Sequence, residues 1–144
     1  MATERRAEVV WQGDLMNGSG TIESVTSGAV GPLDVSWPSR SEAPNGKTSP
    51  EELIAAAWAS CFAMALSHGL AQGGHAPERL ETSATVTFQP GEGIVKGALT
   101  VRGTVPDLDG AAFSQAAEDA KQNCPVSKAL AGIPEVSLDA GLAS

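Results

Sequence analysis

The segment from Ser49 to Leu66 constrains the fold of this 144-residue chain more than any other. Ser49 offers a side-chain oxygen for an N-cap, Pro50 suits the first helical position, and Glu52 stands at the third. Together they predict a helix start with a capping box. From Leu53 to Leu66 the only polar residue is Ser60, so the helix is apolar on nearly every face. Such a helix is expected to be surrounded by protein rather than to lie on a surface. Glycines end it at about Gly69 or Gly73. The apolar run is shorter than the roughly 18 residues that a bilayer span needs. No apolar run of signal-peptide length follows Met1-Ala2-Thr3-Glu4-Arg5-Arg6. A cytoplasmic location is therefore expected.

The remaining segments fit around that helix. Glu8 to Trp11 and Gly20 to Val25 read as short strands joined by a loop with Asn17-Gly18, and Val30 to Trp37 as a third, interrupted by Gly31-Pro32. Pro38 to Ser49 is polar and turn-rich and reads as a surface loop. After the helix, Leu80 to Phe88 alternates Ala84, Val86 and Phe88 with Ser83, Thr85 and Thr87, which is a strand pattern. Pro90-Gly91-Glu92-Gly93 turns the chain into a second strand, Ile94 to Val105, completing a hairpin. Asp109 to Asn123 carries Ala112, Phe113, Ala116, Ala117 and Ala120 at helical spacing. Pro125 to Ala131 predicts a short helix, and Val136 to Leu142 a last strand. This order points to one α+β domain over residues 1–144, with antiparallel sheet rather than βαβ units. The net charge of -8 argues against nucleic acid and anionic membranes as partners.

Two cysteines stand in contrasting segments. A cysteine attacks as its thiolate, so what stabilises negative charge near it decides its role. Cys124 precedes Pro125 and falls at or near a helix N-cap, beside unpaired amides and the positive end of the helix dipole. Cys61 lies 12 positions beyond Ser49, inside its helix. Burial alone raises its pKa, and a reactive Cys61 needs a cation delivered by the fold. Lys and Arg number only nine, and Arg40 is the best placed in sequence. The plainer readings are a small core cysteine at Cys61, an ordinary turn at Cys124, and solvated charges at Arg40 and Glu51. Trp58, Phe62, Met64 and Leu66 either wall an apolar pocket or pack the core. His68 and His75 lack further ligands and read as surface or capping residues, so no metal site is expected. No P-loop, dinucleotide fingerprint or nucleophile elbow is present. In a cytoplasmic chain, two cysteines more often do redox work than form a structural bridge.

The run Ser49-Pro50-Glu51-Glu52-Leu53-Ile54-Ala55-Ala56-Ala57 leading into Ala59-Ser60-Cys61-Phe62 resembles the signature of the OsmC/Ohr family. So does Cys124-Pro125-Val126-Ser127 some sixty residues later. Trp11-Gln12-Gly13-Asp14-Leu15, Gly18-Ser19-Gly20 and the late strand are more similar to the OsmC branch. The likeness covers essentially the whole chain. It implies a thiol-dependent peroxidase that reduces organic hydroperoxides, and hydrogen peroxide less well, without metal, haem or flavin. It implies Cys61 as the peroxidatic thiol, Cys124 as the resolving one, and Arg40 with Glu51 as the charged pair that activates Cys61. The loop from Ser41 to Thr48 is about one residue longer than the family pattern, which leaves Arg5 and Arg6 as other candidates for the cation.

The cycle so implied needs a hydroperoxide substrate and a dithiol or protein reductant as partners. Glu51 and Cys61 are ten residues apart, about 15 Å along one helix. One arginine does not span that distance, so an intertwined homodimer is expected, its helices crossing antiparallel near Ala56. A non-enzymatic, stress-linked binder of small apolar ligands is the alternative. A general thiol–disulfide oxidoreductase is disfavoured, because no Cys-x-x-Cys is present.

Overall fold

The structure is a computed structural model that describes residues 1–143. Strands and helices follow in the order β1 (Ala7–Gln12), β2 (Ser19–Val25), β3 (Leu33–Val35), α1 (Trp37–Ser41), α2 (Pro50–Gln72), β4 (Arg79–Gln89), β5 (Gly93–Thr104), α3 (Gly110–Asn123), α4 (Pro125–Ala129) and β6 (Glu135–Leu142). They form two compact units, Met1–Leu53 and the residues from Ile54 onward. The architecture is α+β, with two three-stranded sheets and one long helix.

The first unit is an antiparallel sheet in the order β1-β2-β3. β1 is exposed along its whole length, including Val9, Val10 and Trp11. The segment expected to be a surface loop from Pro38 onward instead begins inside α1. The reason is local: Ser36 Oγ accepts from the Ser39 amide at 3.2 Å, and the Ser36 amide donates to Ser39 Oγ at 3.0 Å. This reciprocal cap, with Pro38 in the first turn, winds the five residues that carry Arg40. At the start of α2 only half of the expected capping box forms. The Glu52 amide donates to Ser49 Oγ at 3.1 Å, but the Glu52 carboxylate accepts from the Thr48 hydroxyl at 2.9 Å.

The second unit is built on the sheet β4-β5-β6. β4 and β5 form the expected antiparallel hairpin. β6 departs from the expected antiparallel arrangement: it pairs with β5 in parallel, from Lys96↔Glu135 to Gly103↔Leu142. Helices α3 and α4 carry the chain back to the end where β5 began, so β6 enters in the same direction. Gly97, Leu99, Val101 and Gly103 alternate along β5 on one buried face. A Cβ on Gly97 would meet the Trp58 ring at 2.6 Å, and one on Gly103 would meet Phe113 at 2.5 Å. Helices α2 and α3 therefore lie close on the same face of the sheet. The core is Trp58, Phe62, Leu66 and Leu70 of α2, Leu99 and Val101 of β5, Val105 just beyond it, Phe113, Ala117 and Ala120 of α3, and Cys124. Burial of each large aliphatic or phenyl side chain contributes about 1.5–3 kcal/mol.

The expectation that α2 is covered on all sides holds for one face only. Its buried apolar residues recur every fourth position, at Trp58, Phe62, Leu66 and Leu70. Two residues on, about 200° round the helix, Ala56, Ser60, Met64 and His68 are exposed, Met64 by 71%. At 23 residues α2 is also longer than the apolar run that defined it in sequence. By length and composition it meets the requirement for crossing a bilayer. Its buried ridge is engaged with the sheet, as in the core helix of a globular protein. The helix ends where the His75 amide donates back to the Leu70 carbonyl at 2.9 Å, across Gly73 and Gly74.

Candidate active site

Two constellations bear on chemistry, one in each unit. In the first, α1 presents Arg40 to Glu51 in the opening turn of α2. Arg40 Nε lies 3.1 and 3.2 Å from the two Glu51 oxygens, and Nη2 lies 2.9 Å from Oε2. This forked pair fixes the guanidinium plane, which one point contact could not do. The Glu51 side chain is only 7% exposed, against 32% for Arg40. The sequence read these two as surface charges when taken alone. The structure joins them, with the acid buried. Arg5 bonds the Glu4 carbonyl and Arg6 pairs with Glu8, both in exposed positions.

In the second unit, Cys61 of α2 and Cys124 at the start of α4 are free thiols near enough to act on each other's ionisation. Cys61 is half-buried and Cys124 fully buried. Their electrostatics differ in sign. Burial pushes the Cys61 thiol up, and the hydrogen bond that it makes to Cys124 pushes it further. The Val126 amide opposes this without cancelling it. Burial also pushes Cys124 up, but the Ser127 amide, the Cys61 thiol, the Ser127 hydroxyl and the Val126 amide together bring it below the ordinary thiol value. Cys124 is the N-cap of α4, with Pro125 at N1. Val126 and Ser127 therefore occupy N2 and N3, where amides lack helical partners. No ideal capping hydrogen bond reaches the sulfur, so these amides act on it through their dipoles. In the single chain, Cys124 is thus the more acidic thiol, in line with the local argument from Cys-Pro.

One contact at this site escaped the sequence. The Trp58 indole donates to Ser127 Oγ at 2.7 Å. It ties α2, one turn before Cys61, to α4, one turn after Cys124. The two residues are 69 positions apart, so periodicity carries no trace of the pairing. The only local signal was an indole N–H on a helix expected to be buried, a donor that requires a partner. Beside this contact is a cleft of about 310 Å³ lined by Trp58, Lys121, Ser127, Lys128, Leu130 and Val136, among others. Among the described residues, no group of three or more His, Cys, Asp and Glu could hold a metal ion. His68 is exposed and contacts Gln72 at 3.3 Å.

The chain is 37% identical to the peroxiredoxin OsmC of Escherichia coli, over the full length of both proteins. It is 29% identical to the organic hydroperoxide resistance protein OhrB of Bacillus subtilis, over 74% of this chain and 79% of that protein. The crystal structure of OhrB superposes on 96% of this chain and 98% of that one, with a TM-score of 0.64 and 26% identity. The OsmC-like protein of Mycoplasma pneumoniae shares the fold over the full length of both chains, with a TM-score of 0.74 at 12% identity. Residues 43–139 match the family model of OsmC-like proteins. That span takes in Glu51, both cysteines and Ser127, and with the full-length relative it makes the chain a member of the OsmC-like protein family.

Proposed function

We propose that this protein is a thiol-dependent peroxidase that reduces organic hydroperoxides, and hydrogen peroxide less well, to alcohols or water. The observation that carries this reading is the Cys61–Cys124 pair: two free thiols on separate elements, each acting on the other's ionisation, in opposite electrostatic settings. A reacting thiol and a resolving thiol need that arrangement. The named relatives, a peroxiredoxin and an organic hydroperoxide resistance protein, support the same chemistry.

In the proposed cycle the Cys61 thiolate attacks the distal oxygen of ROOH. The O–O bond breaks, Cys61 becomes a sulfenic acid, and the alkoxide leaves and takes up a proton. The Cys124 thiolate then attacks the Cys61 sulfur and expels hydroxide, which leaves as water once protonated, and a Cys61–Cys124 disulfide remains. A dithiol or a reducing protein exchanges with that disulfide, becomes oxidised itself and restores both thiols. The chemistry resides in the sulfurs alone, in a cytoplasmic protein kept reduced by its surroundings.

Cys61 is the less acidic thiol of the single chain, so its activation calls for a cation. Arg40 is the proposed source, with Glu51 orienting the guanidinium. An opposite charge nearby lowers a pKa by roughly 1–3 units, which works against the rise that burial gives Cys61. Glu51 precedes Cys61 by about 15 Å along α2, which favours a homodimer in which the Arg40–Glu51 pair of one chain serves Cys61 of the other. The open face of α2 at Ala56, Ser60 and Met64 supports a second copy there. Parallel titrations with an alkyl hydroperoxide and a thiol-blocking reagent test the activity: blocked thiols and lost peroxide consumption should coincide at one equivalent of active site. Peroxide consumption that survives complete blocking would overturn the proposal. Mixed dimers of Glu51→Ala and Cys61→Ser chains should regain activity, and a fully active monomer at micromolar concentration would overturn the shared site.

A further inference from the structure

The Trp58–Ser127 contact has no part in the cycle above, yet it sits between the helices that carry the two thiols. An indole N–H is a donor only, whereas a hydroxyl holds one proton and two acceptor positions. With Trp58 Nε1 at 2.7 Å, Ser127 Oγ must act as the acceptor. Its own proton is then directed elsewhere, and Ser127, at N3 of α4, stands one turn from Cys124 at the N-cap, the thiol that its hydroxyl helps to lower. The indole cannot drift from this position. It is 1% exposed, and its far edge fills the space that a Cβ on Gly97 would need.

We infer that Trp58 is a positioning residue for the resolving thiol: by donating to Ser127 it turns the Ser127 hydroxyl proton onto the Cys124 sulfur and holds the start of α4 against α2. This rests on the peroxidase reading for its purpose, but not for its geometry. Cys124 must attack the oxidised Cys61 as a thiolate, and a directed hydroxyl stabilises that thiolate. What lowers Cys124 is the Ser127 and Val126 amides, the Cys61 thiol and the Ser127 hydroxyl, with no charged side chain among them. Cys61 meets it from α2. Lys121 on α3, paired with Glu118 at 3.5 Å, and Lys128 on α4 line the adjoining cleft. Lys96 and Arg102 of β5 are engaged with Glu135 and Asp139 of β6.

The test uses Cys61→Ala chains, in which Cys124 is the only thiol, and follows its ionisation by thiolate ultraviolet absorbance against pH. The chain contains no tyrosine, so no phenol titrates in the same band. Ser127→Ala should raise the apparent pKa of Cys124 by about 0.5–1 unit, the effect of one lost hydrogen bond. Trp58→Phe, which keeps a ring but loses the N–H, should shift it the same way by a smaller amount. Ser127→Thr, which keeps the hydroxyl, should restore the parent curve. The double variant should titrate like Ser127→Ala alone, because the indole acts through the hydroxyl. In the chain with both cysteines, Trp58→Phe should slow disulfide formation about two- to fivefold and leave the first oxidation of Cys61 unchanged. A Cys124 titration unmoved by Trp58→Phe but moved by Ser127→Ala would overturn the inference, as would strictly additive shifts. If Trp58→Phe fails to melt cooperatively, an unmoved titration of Ser127→Ala alone would overturn it. The titrations need no peroxide, so they stand or fall separately from the peroxidase reading.

Discussion

The middle of α2 and the start of α4 place the same side chain in opposite situations. At Cys61 the amides of its own helix are already bonded within that helix, and the Val126 amide from α4 offsets only part of the burial that raises the thiol. At Cys124 a helix is beginning, and the amides of Val126 and Ser127 lack helical partners and lower the thiol. A thiol at a helix start is activated by its own few residues. A thiol inside a helix is inert until the fold brings it a charge. That dependence suits a peroxidatic cysteine, whose reactivity then requires the assembled site. Substitutions at either end of the contrast should differ accordingly in the size of their effects.

The largest effect is expected from exchanging sulfur for oxygen. Cys61→Ser should abolish peroxide consumption, since in the proposed cycle the oxygen is accepted at Cys61 and Cys124 only resolves it. Cys124→Ser should still consume one equivalent, then stop as a Cys61 sulfenic acid that proceeds to higher oxides, read by mass as added oxygens. If Cys61→Ser stayed active while Cys124→Ser lost all consumption, the more acidic thiol would be the attacking one and the roles would be reversed.

The next effect concerns the charge that α2 lacks. Arg40→Ala should raise the apparent pKa of Cys61 by about 1–3 units and slow its reaction with hydroperoxide at neutral pH at least about tenfold. Stopped-flow oxidation of Cys124→Ser chains across pH reads both. The same change leaves the buried Glu51 carboxylate without its forked partner. Unfolding should register a loss of about 1–3 kcal/mol, reduced from the fully buried case by the partial exposure of Arg40. Arg40→Lys should recover part of the stability but little of the rate, because an ammonium cannot hold the fork. An unchanged pH profile in Arg40→Ala would assign the cation to another arginine.

How much of this was legible in the sequence follows from the range of each interaction. The α2 helix, the β4–β5 hairpin and the N-cap at Cys124 were readable because the residues that decide them are neighbours in the chain. The short helix α1 was missed although Ser36 and Ser39 spell its cap, because a polar stretch next to proline reads first as loop. The parallel pairing of β6 was missed because direction depends on where α3 and α4 return the chain. Arg40 and Glu51 were named as a pair only through family resemblance. Their contact depends on how α1 turns the guanidinium onto α2. Trp58 and Ser127 had no local pattern to announce them, since a hydrogen bond between distant elements leaves no period behind.

The smallest expected effect is a difference in how stability follows pH. In the single chain, with no cation brought to it, Cys61 has a raised folded pKa, so its contribution to stability is fully present below the unfolded thiol value and is lost as pH rises through the folded one. Cys124 has a lowered folded pKa, so its contribution is present above the unfolded value and is lost as pH falls through the folded one. The two cysteines therefore push the stability curve in opposite directions across the alkaline range around the ordinary thiol pKa. In an Arg40→Ala background, where no cation offsets the burial of Cys61, adding Cys61→Ala should gain stability as pH rises through that window, whereas adding Cys124→Ala should lose it. One proton per thiol bounds each slope at about 1.4 kcal/mol per pH unit, and the influence of each thiol on the other's ionisation makes the two effects non-additive. Urea unfolding of both variants and the double variant, in reductant at the two ends of the window, would measure this. Parallel slopes for the two single variants would show that the helix start and the helix middle do not treat a thiolate differently, and the contrast drawn between them would fail.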